Sequence, residues 1–216
     1  MSAATSAPVT RAATTQPTEG RVARKRLKRI ETILQNAAME LAERGYSNTS
    51  LEDVAERMDL AKASLYHYFD SKEALFSACL ATIAEETIQR FGELAAEPGT
   101  PVERLRKMIL EDLRITTNDR PELSQLFLRP MDWPPAIAKQ VRAWRAEHDG
   151  IYAAVIDEGI AAGLFSTRDP YVARHCLHGA LNYAPVWLRG TSAAKSKKLR
   201  ESIADQVLAM LHADDA

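Results

Sequence analysis

The sequence has few of the features that mark secreted or membrane-spanning proteins. Only two cysteines, Cys79 and Cys176, occur among 216 residues, so a reducing cytoplasm is the compartment that fits best. No run of about 18 apolar residues is present to cross a bilayer. The formal net charge is −1, so any affinity for a polyanion must come from a local patch. The sequence therefore predicts a cytoplasmic protein without a membrane partner.

The motifs of common enzymes are also missing. The chain has no Gly-x-Ser-x-Gly elbow, His-Glu-x-x-His pair, phosphate-binding glycine loop or Cys-x-x-Cys motif. His175, Cys176 and His178 lie close together, but a structural zinc site usually needs four ligands, and helical spacing supplies only part of them. Histidines at an interface are the preferred interpretation. We expect no enzymatic activity, no metal and no cofactor.

Apolar residues recur at helical spacing through most of the chain. The alternation of apolar and polar residues that a half-buried strand needs is absent. Segments such as "EPGTP" and "STRDP" interrupt the helical spacing with residues that end or cap helices. The pattern predicts an all-α protein of about nine helices. Residues 1–20, rich in Ala, Thr, Ser and Pro, are predicted to be a disordered tail before a first helix from about Arg24 to Arg44.

Two short helices joined by a tight turn should follow the first helix. Thr49 or Ser50 is the candidate N-cap of the second helix, with an acidic residue three positions later to complete a capping box. The third helix begins after a turn at residues 59–60, and Leu65 would anchor it inward. This order of helices forms a helix-turn-helix, whose second helix can lie in the DNA major groove.

The third helix and its flanks are rich in side chains that can reach phosphates or base edges. The candidate contacts are Thr49 or Ser50, Lys62, Ala63, Ser64, Tyr66, His67 and Lys72. The segment "RVARKRLKR" adds six basic residues in nine positions before the first helix, where an arm could reach a groove. Tyrosines with surface hydroxyls and a solvated charge run would also explain these residues, so the stretch alone leaves DNA contact undecided.

The segment "AMELAERGYSNTSLEDVAERMDLAKASLYHYFDSKEALF", residues 38–76, resembles the signature of the tetracycline-repressor (TetR) family of bacterial transcriptional regulators. The resemblance implies a helix-turn-helix DNA-binding domain (21–75), a C-terminal helical ligand-binding and dimerisation domain (76–216), and a homodimer on a palindromic double-stranded operator. It places DNA contacts at the residues named above other than Ala63, which only its position on the face of the helix suggests. Where the family commonly has Tyr-x-His-Phe, this chain has Tyr68, which can donate to a phosphate but cannot carry the charge of an imidazole.

The last two long helices, predicted near residues 169–189 and 194–212, carry apolar residues on more than one side. A helix that serves only its own core needs one apolar stripe, so the extra apolar surface predicts a partner. The resemblance implies that this pair forms a four-helix bundle with its copy in a homodimer.

A ligand cavity is expected among helices 4 to 8. Because such cavities are mostly apolar with a few polar groups, aromatic and aliphatic residues near a few polar ones are the candidates for its lining. The candidate lining residues are Met108, Leu113, Leu126, Phe127, Arg129, Trp133, Trp144, Arg145, His148, Tyr152, Asn182, Tyr183 and Trp187. The segments "EGIAAGLF" and "RDPYVARHCLHGALNYAPVWLRG" are similar to family members that respond to acyl or steroid thioesters of coenzyme A. This similarity implies a small hydrophobic effector. The alternative is a DNA-binding or protein-interaction module whose second domain only dimerises.

Overall fold

The computed structural model describes residues 17–122 and 132–212, and within these ranges the chain is all helical. A π-helical turn, Ile115–Asp119, directly follows the fifth helix. The all-α prediction is confirmed. The eight α-helices of the described residues are α1 (Pro17–Arg44), α2 (Leu51–Arg57), α3 (Lys62–Tyr66), α4 (Lys72–Ala95), α5 (Pro101–Arg114), α6 (Pro135–Ala161), α7 (Pro170–Leu188) and α8 (Ala193–Ala209).

Helix α1 is longer than the sequence pattern indicates. It begins at Pro17 rather than at Arg24, because proline is tolerated in the first turn, where its missing N–H needs no partner. Arg24 Nε also donates to the carbonyl of Gly20 at 3.1 Å. Residues 17–20 are therefore helical, contrary to the predicted tail, and residues 1–16 lie outside the described residues.

The first four helices pack around an N-terminal core. Ile33 and Leu41 of α1, Val54 of α2, Leu65 of α3 and Phe76 of α4 are all fully buried in it. Because Leu65 fixes the inward side of the short α3, the opposite side must face solvent. The predicted turn at residues 59–60 is present.

An ion-pair network holds α2 against α1. Arg57 Nε contacts Glu40 Oε1 at 2.7 Å, and Arg57 Nη2 contacts Glu43 Oε2 at 2.5 Å. Arg44 contacts both the buried Glu40 and the α2 residue Asp53, at 3.1 Å and 2.8 Å. The network fixes the orientation of the helix-turn-helix on α1.

Helices α5 to α8 form a second core, and α4 and α6 contribute to both cores. Leu75 lies in the N-terminal core and Phe91 in the C-terminal core, although both belong to α4. Likewise, Ile137 near the start of α6 packs in the N-terminal core and Tyr152 in the C-terminal core. These two helices therefore connect the two cores. No described helix is long and apolar enough to span a membrane.

Candidate nucleic-acid interface and internal cavity

Ser50, rather than Thr49, is the N-cap of α2. Ser50 Oγ accepts from the amide of Asp53 at 3.2 Å, and Asp53 Oδ2 accepts from the amide of Ser50 at 2.7 Å, which completes a capping box. Thr49 is buried, and its hydroxyl donates to the carbonyl of Gly45 at 2.9 Å. The proposed phosphate contact through the Thr49 side chain is therefore wrong, because that hydroxyl is directed into the protein.

Helix α3 presents most of its predicted contacts to solvent. Lys62, Ala63, Ser64 and Tyr66 are exposed, as is His67 directly after the helix. This arrangement follows from the burial of Leu65 on the inward side. It gives the surface three kinds of hydrogen-bonding group, an ammonium, hydroxyls and an imidazole.

Tyr68 differs from the other predicted contacts because it is half-buried. Its side chain packs against the N-terminal core, and its ring centroid lies 5.3 Å from that of His67 in an edge-to-face arrangement. A tyrosine at this position therefore supports the His67 ring and fills space beside the core. Its part in DNA contact remains a prediction.

Lys62 and Lys72 both have partners within the chain. Lys62 Nζ forms an ion pair with Glu52 of α2, and this hydrogen bond raises the pKa of Lys62 and lowers that of Glu52. Lys72 Nζ lies 4.4 Å from the centroid of the Tyr46 ring and 3.5 Å from the carbonyl oxygen of Ser47. Lys62 must exchange Glu52 for a DNA group to make a base contact, whereas Lys72 is held beside the loop between α1 and α2.

The N-terminal part of α1 adds a strip of positive charge to the same half of the molecule. Every side chain from residue 20 to residue 28 is exposed, and the helix reaches its first buried residue only at Ile33. The basic residues of this strip are Arg21, Arg24, Lys25, Arg26, Lys28 and Arg29. Five of these cations are exposed and Arg29 is half-buried, and a strip of this kind is suited to a polyanion.

A cavity of about 480 Å³ lies between α4, the end of α5, α6 and α7. Its walls are mainly apolar. The sequence-predicted residues that line it are Trp133, Trp144, Arg145, His148 and Asn182. The lining residues that sequence reasoning missed are Leu80, Ile83, Ala84, Thr87, Ile88, Phe91, Asp112, Ile115, Thr116, Val141, Ala146, Asp149, His175 and His178.

Several of the predicted lining residues lie elsewhere. Met108 and Leu113 are fully buried in the C-terminal core, where they contact neighbouring helices rather than the cavity. Tyr183 and Trp187 are 49% and 55% exposed on the outer side of α7, so their assignment to the cavity is wrong. Leu126, Phe127 and Arg129 lie outside the described residues.

One end of the cavity is polar, and Tyr152 stands directly behind it. The Tyr152 hydroxyl donates to Asp112 Oδ2 at 3.4 Å, while its ring centroid lies 5.3 Å from that of His148 and 4.8 Å from that of His178. Tyr152 is fully buried and is not itself a lining residue. Asp112, His148 and His178 all line the cavity, and we call these three residues the polar end.

Burial shifts the pKa values of the polar end towards uncharged forms. It raises the pKa of Asp112 to about 7, against the opposing effect of the hydrogen bond from Tyr152. It lowers the pKa of His148 to about 4, and the neighbouring His178 adds to this shift. Burial also lowers the pKa of His178, although Asp149, whose Oδ1 lies 3.2 Å from His178 Nε2, acts in the opposite direction. Burial therefore favours the uncharged form of both imidazoles.

Asp112 should make the protein less stable as the pH rises from 5 to 8. The folded protein keeps the Asp112 proton until about pH 7, whereas the unfolded chain releases it near the ordinary value of 3.8, so the folded state binds more protons between these values. Asp112→Asn removes this loss, which amounts to up to about 3 kcal/mol. Urea unfolding of both proteins at pH 5 and pH 8 measures it.

The exposed Asp157→Asn variant is the matched control and should keep the wild-type pH dependence. His148 has a lowered pKa, so its contribution to stability rises with pH, but it is present in every variant and cancels in the comparison. Equal pH dependence in wild type and Asp112→Asn would contradict the burial of an ionisable Asp112.

The outer side of α7 exposes large apolar side chains. Tyr171, Val172, Tyr183, Val186 and Trp187 are all exposed, and their spacing places 172, 183 and 187 along one side of the helix. Tyr183 and Trp187 meet edge to face with ring centroids 5.7 Å apart. A patch of this kind on a folded chain is typical of a protein interface.

The helix-turn-helix with its exposed α3, joined to a helical domain with a cavity, defines a DNA-binding transcriptional regulator. Residues 33–79 match the family described as bacterial regulatory proteins, tetR family, and residues 98–211, more than half of the chain, match the tetracyclin repressor-like C-terminal domain. The chain belongs to the TetR family.

Two curated relatives are transcriptional regulators. The chain is 41% identical over 46 residues to the biofilm operon icaADBC negative transcriptional regulator IcaR of Staphylococcus aureus, which is 21% of this chain and 25% of the relative. It is 31% identical over 90 residues to the transcriptional repressor KstR2 of Mycobacterium tuberculosis, which is 42% of this chain and 45% of the relative. The matches thus span about a quarter and about half of these relatives.

Solved structures match over nearly their whole length. A TetR/AcrR family regulator from Thermobifida fusca is 30% identical with a TM-score of 0.64, and the match covers 84% of this chain and 97% of that one. AibR, solved with isovaleryl coenzyme A and operator DNA, is 24% identical with a TM-score of 0.67, and the match covers 85% and 97%. The likeness to AibR shows a shared fold.

Proposed function

We propose that the protein is a cytoplasmic, ligand-responsive transcriptional repressor. It binds a palindromic double-stranded operator as a homodimer, and a small hydrophobic effector releases it. The observation that carries this proposal is the position of the cavity, because its walls include α4 and α6, the two helices that join the cores. The proposed division is a DNA-binding domain at 21–75 and an effector and dimerisation domain at 76–216. Neither catalysis nor a cofactor is part of it.

The exposed face of α3 supports DNA binding through the major groove. Lys62, Ala63, Ser64 and Tyr66 are the proposed groove-facing residues, and His67 is the proposed phosphate contact after them. The basic strip of α1 adds sequence-independent attraction to phosphates. Ser50 and Lys72 flank this surface, while Thr49 is excluded because its side chain is buried.

Helix α4 offers a direct route from effector to operator. It starts at Lys72, a few residues after α3, and one of its sides, between Leu80 and Phe91, lines the cavity. An effector that displaces α4 changes the separation of the two recognition helices in a dimer, and the fixed spacing of DNA half-sites makes that separation matter. For release, the effector must bind the DNA-incompetent state more tightly than the competent one.

The favoured effector class is an acyl or steroid thioester of coenzyme A. The mainly apolar walls suit an acyl chain or a steroid nucleus, and the exposed Arg145 on the lining supplies a positive charge for phosphates. The isovaleryl coenzyme A in the AibR complex supports this class. The alternative, a second domain that only dimerises, leaves a cavity of this size without a role.

Effector titration against the operator complex tests the proposal. We expect an acyl or steroid thioester to weaken operator binding about 5- to 150-fold, which corresponds to a coupling of about 1 to 3 kcal/mol. The operator is first obtained by selection from random oligonucleotides, and fluorescence anisotropy then follows release. Thioesters, free fatty acids and aromatic acids are compared as effectors.

A cavity-filling variant separates effector binding from DNA binding. Ala84→Phe places a ring in the cavity and should block release while leaving operator affinity unchanged. Gln89→Phe, at an exposed position of the same helix, is the matched control and should still release. If none of the compounds binds the protein or releases the DNA, the module that only dimerises replaces the sensing repressor.

A further inference from the structure

We propose that the effector carries an uncharged hydroxyl or carbonyl group at its buried end, and that Asp112 and His148 bind this group. The inference rests on the proposed function and concerns the same cavity. In this assignment the apolar walls contact the body of the effector. Asp112 and His148 form hydrogen bonds with one oxygen atom at its buried end.

Asp112 and His148, two of the three residues of the polar end, have hydrogen-bonding capacity that no described residue uses. Within the described residues, the Asp112 carboxyl has Tyr152 as its hydrogen-bond partner, through Oδ2 at 3.4 Å. His148 Nε2 is buried and has no hydrogen-bond partner among the residues that the structure describes. Buried polar atoms are nearly always paired, so an unpaired ring nitrogen on a cavity wall indicates a group that arrives with the ligand.

Surrounding rings hold the His148 imidazole in place. Its centroid lies 4.8 Å from that of Phe91 and 5.3 Å from that of Tyr152, with the Phe91 contact edge to face. These contacts restrict the rotation of the imidazole. A restricted ring loses less entropy when a ligand binds to it.

The charges near the polar end disfavour an anionic group. No ion pair to Asp112 or His148 is formed within the described ranges, and the Arg174 guanidinium is already paired, with its Nε 2.8 Å from Asp149 Oδ1. Arg145 lies at an exposed position of the lining. A carboxylate at the buried end would lose its hydration beside Asp112 without gaining a cation, which is costly.

A purely apolar end would also be disfavoured, because it would leave both polar groups unpaired and dry. A hydroxyl can donate to one of the two groups and accept from the other, and a carbonyl can accept from a protonated Asp112 or from an imidazole N–H. An uncharged oxygen is therefore the group that satisfies the polar end without burying net charge.

A matched ligand series tests the inference. Its members are straight-chain compounds of equal length that end in an alcohol, a methyl ketone, a carboxylate, an ammonium or a methyl group, and calorimetry measures their binding to the full-length protein. We expect the alcohol and the ketone to bind at least about tenfold more tightly than the methyl compound, equivalent to about 1.4 kcal/mol. The carboxylate should bind more weakly than either.

Variants of the polar end identify the residues that read the oxygen. Asp112→Leu should abolish the preference for alcohol over methyl, whereas Asp112→Asn, which keeps hydrogen-bonding groups, should retain it. His148→Leu should also lower the preference for alcohol over methyl below that of the wild-type protein. The exposed Asp157→Asn variant is the control and should keep the wild-type preference. Operator binding by each variant shows that it is folded, and if the leucine variants do not fold, the preference of the wild-type protein for alcohol over methyl remains the decisive measurement.

The outcomes separate this inference from the proposed function. Equal binding of alcohol and methyl compounds, or tighter binding of the carboxylate or the ammonium, overturns the inference. So does a series in which no member binds. A thioester that still releases the operator in any of these cases leaves the proposed function standing, whereas a protein that no effector releases loses both.

Discussion

A Tyr183→Glu, Trp187→Glu double variant is expected to be a monomer that has lost most of its operator affinity. The two side chains are 49% and 55% exposed on one side of α7, and they contact each other edge to face. In the proposed homodimer this side is buried against its copy, so two carboxylates there would lose their hydration without gaining partners. Their like charges would also repel across the two-fold axis.

The loss in operator affinity should exceed the loss caused by removing any single contact with DNA. A dimer binds its second half-site as an intramolecular step, which raises affinity by about 100-fold or more over one domain alone. Analytical ultracentrifugation measures the oligomeric state, and anisotropy measures operator affinity. Leu164→Glu, at an exposed apolar position before α7, is the control and should remain dimeric. A double variant that stays dimeric would show that the interface lies elsewhere.

Lys62→Ala is expected to weaken operator binding and to relax base preference together. Its ammonium lies on the exposed face of α3, and a lost base contact is worth about 1 to 3 kcal/mol. Lys72→Ala should instead weaken binding to all sequences alike, because Lys72 is held beside the loop between α1 and α2 and is proposed to contact phosphate. Parallel selections from random oligonucleotides compare the preferences.

The ion pair between Lys62 and Glu52 supplies a companion variant. Glu52→Gln removes a negative charge beside the recognition surface and frees the ammonium, so operator affinity should rise. The gain should shrink at high salt, because the contact is exposed and screened. If Lys62→Ala and Tyr66→Phe both leave affinity and selectivity unchanged, α3 is not the recognition helix.

The helix-turn-helix could be predicted from the sequence because local signals specify it. Leu65 and the flanking polar residues define an inward and an outward side of α3, and the capping motif before α2 marks where that helix begins. Local periodicity states which side of a helix is apolar. The exposed residues of α3, which are the proposed DNA contacts, follow from the same pattern, because they are what remains outside.

The choice between Thr49 and Ser50 shows where local signals end. Both residues have a hydroxyl that can cap a helix, and their order along the chain does not separate them. The packing of α1 decides it, since Thr49 donates to the carbonyl of Gly45 near the end of that helix. Likewise, local signals do not show where α1 begins, because a proline such as Pro17 can stand in the first turn of a helix or just before it.

The sequence by itself determined an all-α chain of the TetR type, the position of its recognition helix and an apolar surplus near the C-terminus. Only the tertiary structure decided which residues enclose the cavity. Tyr183 and Trp187 lie outside it, while Asp112 and His178 lie on its wall. The physical reason is that an apolar side of a helix can face a core, a cavity or a partner, and only the packing of four helices distinguishes these three.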